Sequence, residues 1–192
     1  MVKLFKLSAF TLAETLLTLV IIGVVAAMTI PTVMHNADER KYVAFTQKTF
    51  ADVSDATARL ETKYGDVQFW DLSDINTIKQ YYSSVIDTVP YTSESWNASS
   101  INGEDVGATT YDFKTNNGFT WSVNKVSYDS KDVIAVTLDV NGSNPPNVEG
   151  VDIHRFYMLN DKIEPESNCT KYVLKTNKMP WLKTSMDACP QS

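Results

Sequence analysis

The chain has 192 residues, enough for one ordinary domain plus an anchoring segment and too few for two full cores. Hydrophobic residues at 43% and charged residues at 21% are close to globular averages, which excludes a chain disordered over most of its length. A net charge of -6, with no cluster of Lys and Arg, argues against nucleic acid as a partner, because phosphate binding needs grouped cations.

Residues 1–9 form a short leader with Lys3 and Lys6, and an apolar run follows whose only ionisable side chain is Glu14. From Phe10 to Ile30 there are 21 residues, which as a helix cover about 31 Å, close to the hydrocarbon thickness of a bilayer. The two leader lysines place the N-terminus on the cytoplasmic side of a membrane and the rest of the chain outside. Losing the leader would leave 15 basic against 23 acidic residues. Glu14 is out of place in an ordinary anchor: a carboxylate in an apolar helix costs about 2.5–3.5 kcal/mol at the bilayer centre, less near an end, and such acids usually have a partner. Two readings stay open, one in which Glu14 snorkels to nearby headgroups and one in which it pairs within an assembly. A secretory signal peptide is the rival to an anchor, with Ala26-Ala27 as its cleavage site; Glu14 and the length of the run speak against it.

The segment Ala9-Phe10-Thr11-Leu12-Ala13-Glu14, with its basic leader and apolar continuation, resembles the processing site of type IV prepilins and type II secretion pseudopilins. The resemblance implies that a prepilin peptidase cuts between Ala9 and Phe10 and methylates the new N-terminus. It also implies an assembly role for Glu14 at the fifth mature position, and a proline matching Pro31 is frequent in the family; the backbone hydrogen bond lost at Pro31 predicts a helix kink, either one that lets the anchor repack in a filament or a plain kink at the membrane surface. Ala9 stands where the family most often has Gly, and Ala13 where a large aliphatic is usual. The partners implied are the peptidase, other pilin or pseudopilin subunits and the inner-membrane assembly machinery, and the localisation is the bacterial cytoplasmic membrane followed by the filament. Physically, cleavage leaves an ammonium at the head of an apolar helix. Glu14 of a neighbouring subunit would neutralise it in a dry filament core.

After Pro31 the spacing of Val43, Phe50, Val53, Thr57, Leu60 and Tyr64 predicts an amphipathic helix face, with Gly65 as its stop. Ser73 to Val85 reads as a shorter helix capped by Ser73, with Ile75, Ile78 and Tyr82 on one face. The Ser-, Thr- and Asn-rich stretch from Thr88 to Asp105 reads as loop. Tyr111 and Phe113 alternate before Asn116-Asn117-Gly118, and Phe119, Trp121 and Val123 alternate after it, which predicts a hairpin. Val133–Val140 and Ile153–Leu159 read as two further strands. The expected architecture is α+β: a long N-terminal helix packed through its second half on an antiparallel sheet of about four strands, as the pilin resemblance also implies. The chain then divides into leader 1–9, transmembrane and filament-core helix 10–31, and head 32–192.

Cys169 and Cys189 are the only cysteines, and in an exported chain such a pair is read as a disulfide, worth about 3 kcal/mol on the chain-entropy estimate; two free thiols are the alternative. No nucleophile elbow or P-loop appears, and with two histidines no enzyme activity or cofactor is expected. The one candidate ion site is a turn where Asp139, Asn141 and Asp152 bring oxygens together. Calcium needs six to eight oxygens, and the turn departs from the EF-hand pattern; side chains bonding their own backbone are the competing reading. Trp121 sits in a strand pattern and is expected in the core, with Trp70, Trp96 and Trp181 near loops. Three function classes follow: a filament subunit of a pilus or pseudopilus, a minor pilin acting as an adhesive or cargo-binding tip, and a secreted soluble binding protein.

Overall fold

A computed structural model describes residues 11–160, 162–182 and 189. The chain divides into two units, one ending at Asp38 and one beginning at Glu39. Helix α1 (Leu12–Tyr64) carries Pro31 within it, with helical residues on both sides. It stops at Gly65, whose φ of +82° allows its N–H to reach the Glu61 carbonyl at 2.9 Å.

In the second unit α1 buries Val43, Thr46, Thr49, Val53, Ala56, Thr57 and Leu60, a stripe at helical spacing. Val43, Val53, Thr57 and Leu60 are where the spacing places them, and Phe50 packs against the core with part of its ring exposed. Tyr64 differs: it is 36% exposed and stacks on Tyr81 at a centroid distance of 3.8 Å, because the stripe has rotated off the core by the last turn. Helix α2 (Ile75–Val85) starts one residue later than a Ser73 cap requires. Asp74 is the cap, its side chain accepting from Asn76 N at 3.1 Å and Thr77 Oγ1 at 2.8 Å. Ile78 and Tyr82 are buried as the pattern predicts.

The strands are β1 (Thr88–Val89), β2 (Glu94–Ser99), β3 (Asp105–Tyr111), β4 (Phe113–Thr115), β5 (Thr120–Tyr128), β6 (Lys131–Asp139), β7 (Ile153–Met158) and β8 (Ile163–Pro165). They form an antiparallel six-stranded sheet in the order β1-β4-β5-β6-β7-β8 and a separate β2–β3 ribbon, which corrects the count of about four. The added strands are short edges and a polar ribbon, neither of which leaves an apolar period of two. The loop reading of Thr88–Asp105 is corrected by the same ribbon: β2 turns only Trp96 and Ala98 inward, too few apolar residues among Glu, Ser and Asn to stand out as a strand in the sequence. Tyr111 and Phe113 belong to different strands, Tyr111 facing Glu94 in the ribbon and Phe113 facing Trp121 in the sheet.

The β4–β5 hairpin turns at Asn116-Asn117-Gly118, closed by Gly118 N to Thr115 O and Thr115 N to Phe119 O, each 2.9 Å. Trp121, Val123, Ile134, Val136, Leu138, Phe156 and Met158 pack from the sheet onto Val53, Ala56 and Leu60 of α1 and Ile78 and Tyr82 of α2. Lys79 Nζ binds Asp112 Oδ1 at 2.7 Å while Asp112 Oδ2 accepts from Val123 N at 2.9 Å, tying α2 to the sheet.

A second apolar cluster joins Val43 of α1 to Val151, Cys169, Val173, Met179 and Trp181. Here lies helix α3 (Asn168–Thr176), capped by Ser167, a helix that the sequence analysis does not anticipate. Cys169 and Cys189 are disulfide-bonded, with Cα atoms 5.1 Å apart. Gly150 backs onto this bridge at a φ of +79°, and a Cβ there would run into the Cys169 side chain.

Candidate functional site

The first candidate site is the start of α1. Thr11 Oγ1 accepts from Glu14 N at 3.3 Å, and Glu14 Oε2 accepts from Thr11 N at 2.8 Å and from Thr11 Oγ1 at 2.9 Å. This is a reciprocal capping box: each side chain satisfies a backbone donor that the first turn of a helix leaves open. The signal for Thr11 was present in Thr11-Leu-Ala-Glu14, a Thr followed three residues later by Glu just before an apolar run, and the family comparison of Glu14 passed over it. Ala9 and Phe10 lie outside the described residues.

Beyond the cap, an 18-residue window of α1 has a mean hydropathy of 2.4 and none of it is buried within the protein. The helix is long and apolar enough to cross a membrane. Leu, Val, Ile and Met side chains from Leu12 to Met34 are exposed around the whole circumference rather than on one stripe. Such a surface needs lipid or other apolar chains around it.

The second candidate site is the acid-bearing turn between β6 and β7. The structure brings Asp139, Asn141 and Asp152 together, with both carboxylates engaged by N–H donors. Asp139 Oδ1 accepts from Asn141 N at 3.0 Å, and its Oδ2 from Trp96 Nε1 at 2.9 Å. Asp152 accepts from Val148 N at 2.7 Å and Asn147 N at 2.9 Å. These bonds shape the turn and fasten the β2–β3 ribbon to the sheet through Trp96. Among the described residues no three His, Cys, Asp or Glu side chains are grouped to hold a metal ion. Burial pushes the Asp139 carboxyl up to about 7, against the opposing pull of the Asn141 and Trp96 hydrogen bonds. Burial also raises Asp152, opposed by the backbone N–H groups that it accepts from.

His154, unremarked in the sequence, is fully buried between helices. Its Nε2 lies 3.2 Å from Thr46 Oγ1 of α1 and its Nδ1 3.0 Å from Thr170 Oγ1 of α3. Burial drives its pKa down to about 4, so the ring is neutral in the folded head at pH 7. It fastens both helices to β7, which makes it a fold-holding residue. Comparison of the chain with protein-family models, curated proteins and solved structures returned no match.

Proposed function

We propose that the chain is a structural subunit of a type IV pilus or type II secretion pseudopilus, inserted and assembled through the first half of α1. The observation that carries this reading is the pairing of a fully exposed apolar helix with an acid in its first turn. The resemblance of residues 3–31 to a prepilin processing site supplies the family. Two features support assembly over simple anchoring. A cap needs no charge, since Gln would serve at the same position, so a carboxylate in an apolar segment points to a charged partner, and the head carries its own core in the second unit.

In this reading prepilin peptidase releases residues 1–9, and the ammonium of Phe10 on one subunit meets the Glu14 carboxylate of another. In the unassembled chain Glu14 caps its own helix, which lowers the cost of holding it at the membrane surface until a partner amine arrives. The mass of the mature N-terminal peptide tests the reading. A peptide beginning at Phe10 with one added methyl is expected; one beginning at Met28 overturns it in favour of a signal peptide, and an intact leader overturns processing.

A further inference from the structure

A hollow of about 410 Å³ opens on the head where the last turn of α1, the short turn Val67–Phe69 and the start of α2 meet. Tyr64, Phe69, Trp70 and Tyr81 line it together with Asp71 and Asp74. Tyr64 stacks on Tyr81 at 3.8 Å, and Trp70 meets Tyr81 edge-on at 5.9 Å while its indole N–H donates to the Gly65 carbonyl at 2.8 Å. Phe69 stands out at 77% exposure. With Tyr64 it makes two of the three large apolar side chains that the described head leaves exposed, Val106 being the third.

Local donors take part of the capacity of both acids, Ser73 N on Asp71 at 2.8 Å and the α2 cap bonds on Asp74, and a carboxylate has about four acceptor sites. Among the described residues no Lys or Arg lines the hollow. Lys63 stands beside it, its Nζ 4.9 Å from the Tyr64 ring centroid, so these rings already draw a cation. An aromatic wall with carboxylates at hand suits a guanidinium above all. Its plane stacks on a ring while its fork of N–H donors reaches an acid, which a compact ammonium does less well.

The chain has three arginines. Arg59 is paired with Asp55 at 2.8 Å and Arg155 with Glu166 at 3.2 Å. Arg40 is exposed and has no acid partner among the described residues. It borders a second hollow, of about 380 Å³, with Val43, Ala44 and Gln47, which has room for a phenyl ring. Arg40 and Tyr64 stand 24 residues apart on one continuous helix, about 36 Å, so Arg40 cannot reach the aromatic hollow of its own chain. We propose that Arg40 of one copy enters the aromatic hollow of the next, stacking there and meeting Asp71, while Phe69 of that copy seats beside Arg40 of the first. The two patches differ, so the contact is head-to-tail, the kind that continues from copy to copy. It rests on the assembly reading above and adds to it a contact between heads.

The test places the photo-crosslinking residue p-benzoylphenylalanine at position 69 of the full chain in its own cells. A parallel sample carries it at position 19, as a reporter of contacts through the apolar half of α1. Illumination is expected to give a dimer-sized adduct from each, with mass spectrometry placing the position-69 adduct on residues 40–47 of a second copy. Arg40→Glu should cut that adduct by about tenfold, and Arg40→Glu combined with Asp71→Arg should restore it, while the position-19 adduct stays as in the parent. The head contact is overturned, and assembly through α1 kept, if position 19 gives the dimer but position 69 reacts elsewhere on the chain, with another protein or with nothing. It is equally overturned if Arg40→Glu leaves the position-69 adduct undiminished or the paired reversal fails to recover it. If neither position gives a dimer-sized adduct, the head contact and the assembly reading fall together.

Discussion

Leu16 and Thr49 belong to the same helix, yet Leu16 is 55% exposed and Thr49 is fully buried. Hydropathy alone would reverse them. In the first half of α1 the apolar side chains stand exposed among the described residues. In the second half the burying partner is the sheet, and α1 meets it with threonines as well as aliphatics. Thr49 Oγ1 bonds the Thr46 carbonyl at 2.8 Å and Thr46 Oγ1 bonds the Tyr42 carbonyl at 2.9 Å. A hydroxyl satisfied by its own helix leaves a methyl to pack, at little desolvation cost. Burial along this helix is thus decided by what stands opposite each residue.

The largest effect that would test the comparison is in the apolar half. Glu14→Gln keeps an acceptor at the third helical position, and so keeps the cap, but removes the charge. If the carboxylate pairs with the Phe10 amine of a neighbour, filaments visible by electron microscopy should be lost while the protein remains in the membrane fraction. Normal filament number in this variant would remove the charge-pairing mechanism.

Leu60 and Leu19 give the next contrast. Leu60→Ala opens a cavity between α1 and the sheet and should lower the stability of the head by about 2–5 kcal/mol. Leu19→Ala deletes a side chain that is 64% exposed and should leave the head unchanged within about 0.5 kcal/mol. Urea unfolding in micelles, followed by tryptophan fluorescence, measures both. Equal losses would mean that the apolar half contributes to the fold of the head after all.

His154 sharpens the packing of the head half. Its folded pKa, about 4, lies below the ordinary value near 6.5, so the folded state excludes a proton that the unfolded state binds. Its contribution to stability is therefore full above about pH 6.5 and falls away as pH drops towards 4. Asp139 runs the other way. With its pKa raised to about 7 its contribution is present at acid pH and lost as pH rises from about 4 to 7, so the two partly cancel in the parent chain. The stability difference between the parent and His154→Gln should grow by up to about 3 kcal/mol from pH 4 to 6.5. A difference independent of pH would show that the ring is not held neutral.

The smallest effect concerns the Asp139 turn, where the carboxylates are already held by N–H groups. Adding millimolar calcium should leave the midpoint of thermal unfolding of the head where it was. A rise of several degrees would mean that the turn rearranges to offer its oxygens to the ion.

Much of the head was legible because its central strands either alternate or run apolar. The β4–β5 hairpin carries the two-residue period around its Asn-Asn-Gly turn, while β6 and β7, buried on both faces, are short apolar runs whose pairing follows from adjacency. What escaped was structure that carries no such period. The β2–β3 ribbon hides its face in Ser, Thr and Asn, β8 is three residues long, and α3 is an amphipathic helix of only nine residues that contains Cys169. Thr11 was missed although its capping signature was in plain view, whereas His154 gives no local sign, since both of its partners lie on other elements.

By itself the sequence determined what depends on a residue and its near neighbours: the apolar segment with one acid in its first turn, the amphipathic stripe that follows, the hairpin turn and the strands flanking it. Those are set by local backbone preference and by periodicity, which a chain carries whether or not it is folded. Only the tertiary structure decided which threonines are buried, that His154 bridges α1 and α3, and that Asp139 and Asp152 spend their oxygens on N–H groups. Each of these is a contact between segments far apart along the chain, and its energy depends on what the fold leaves near each polar group once water has been removed.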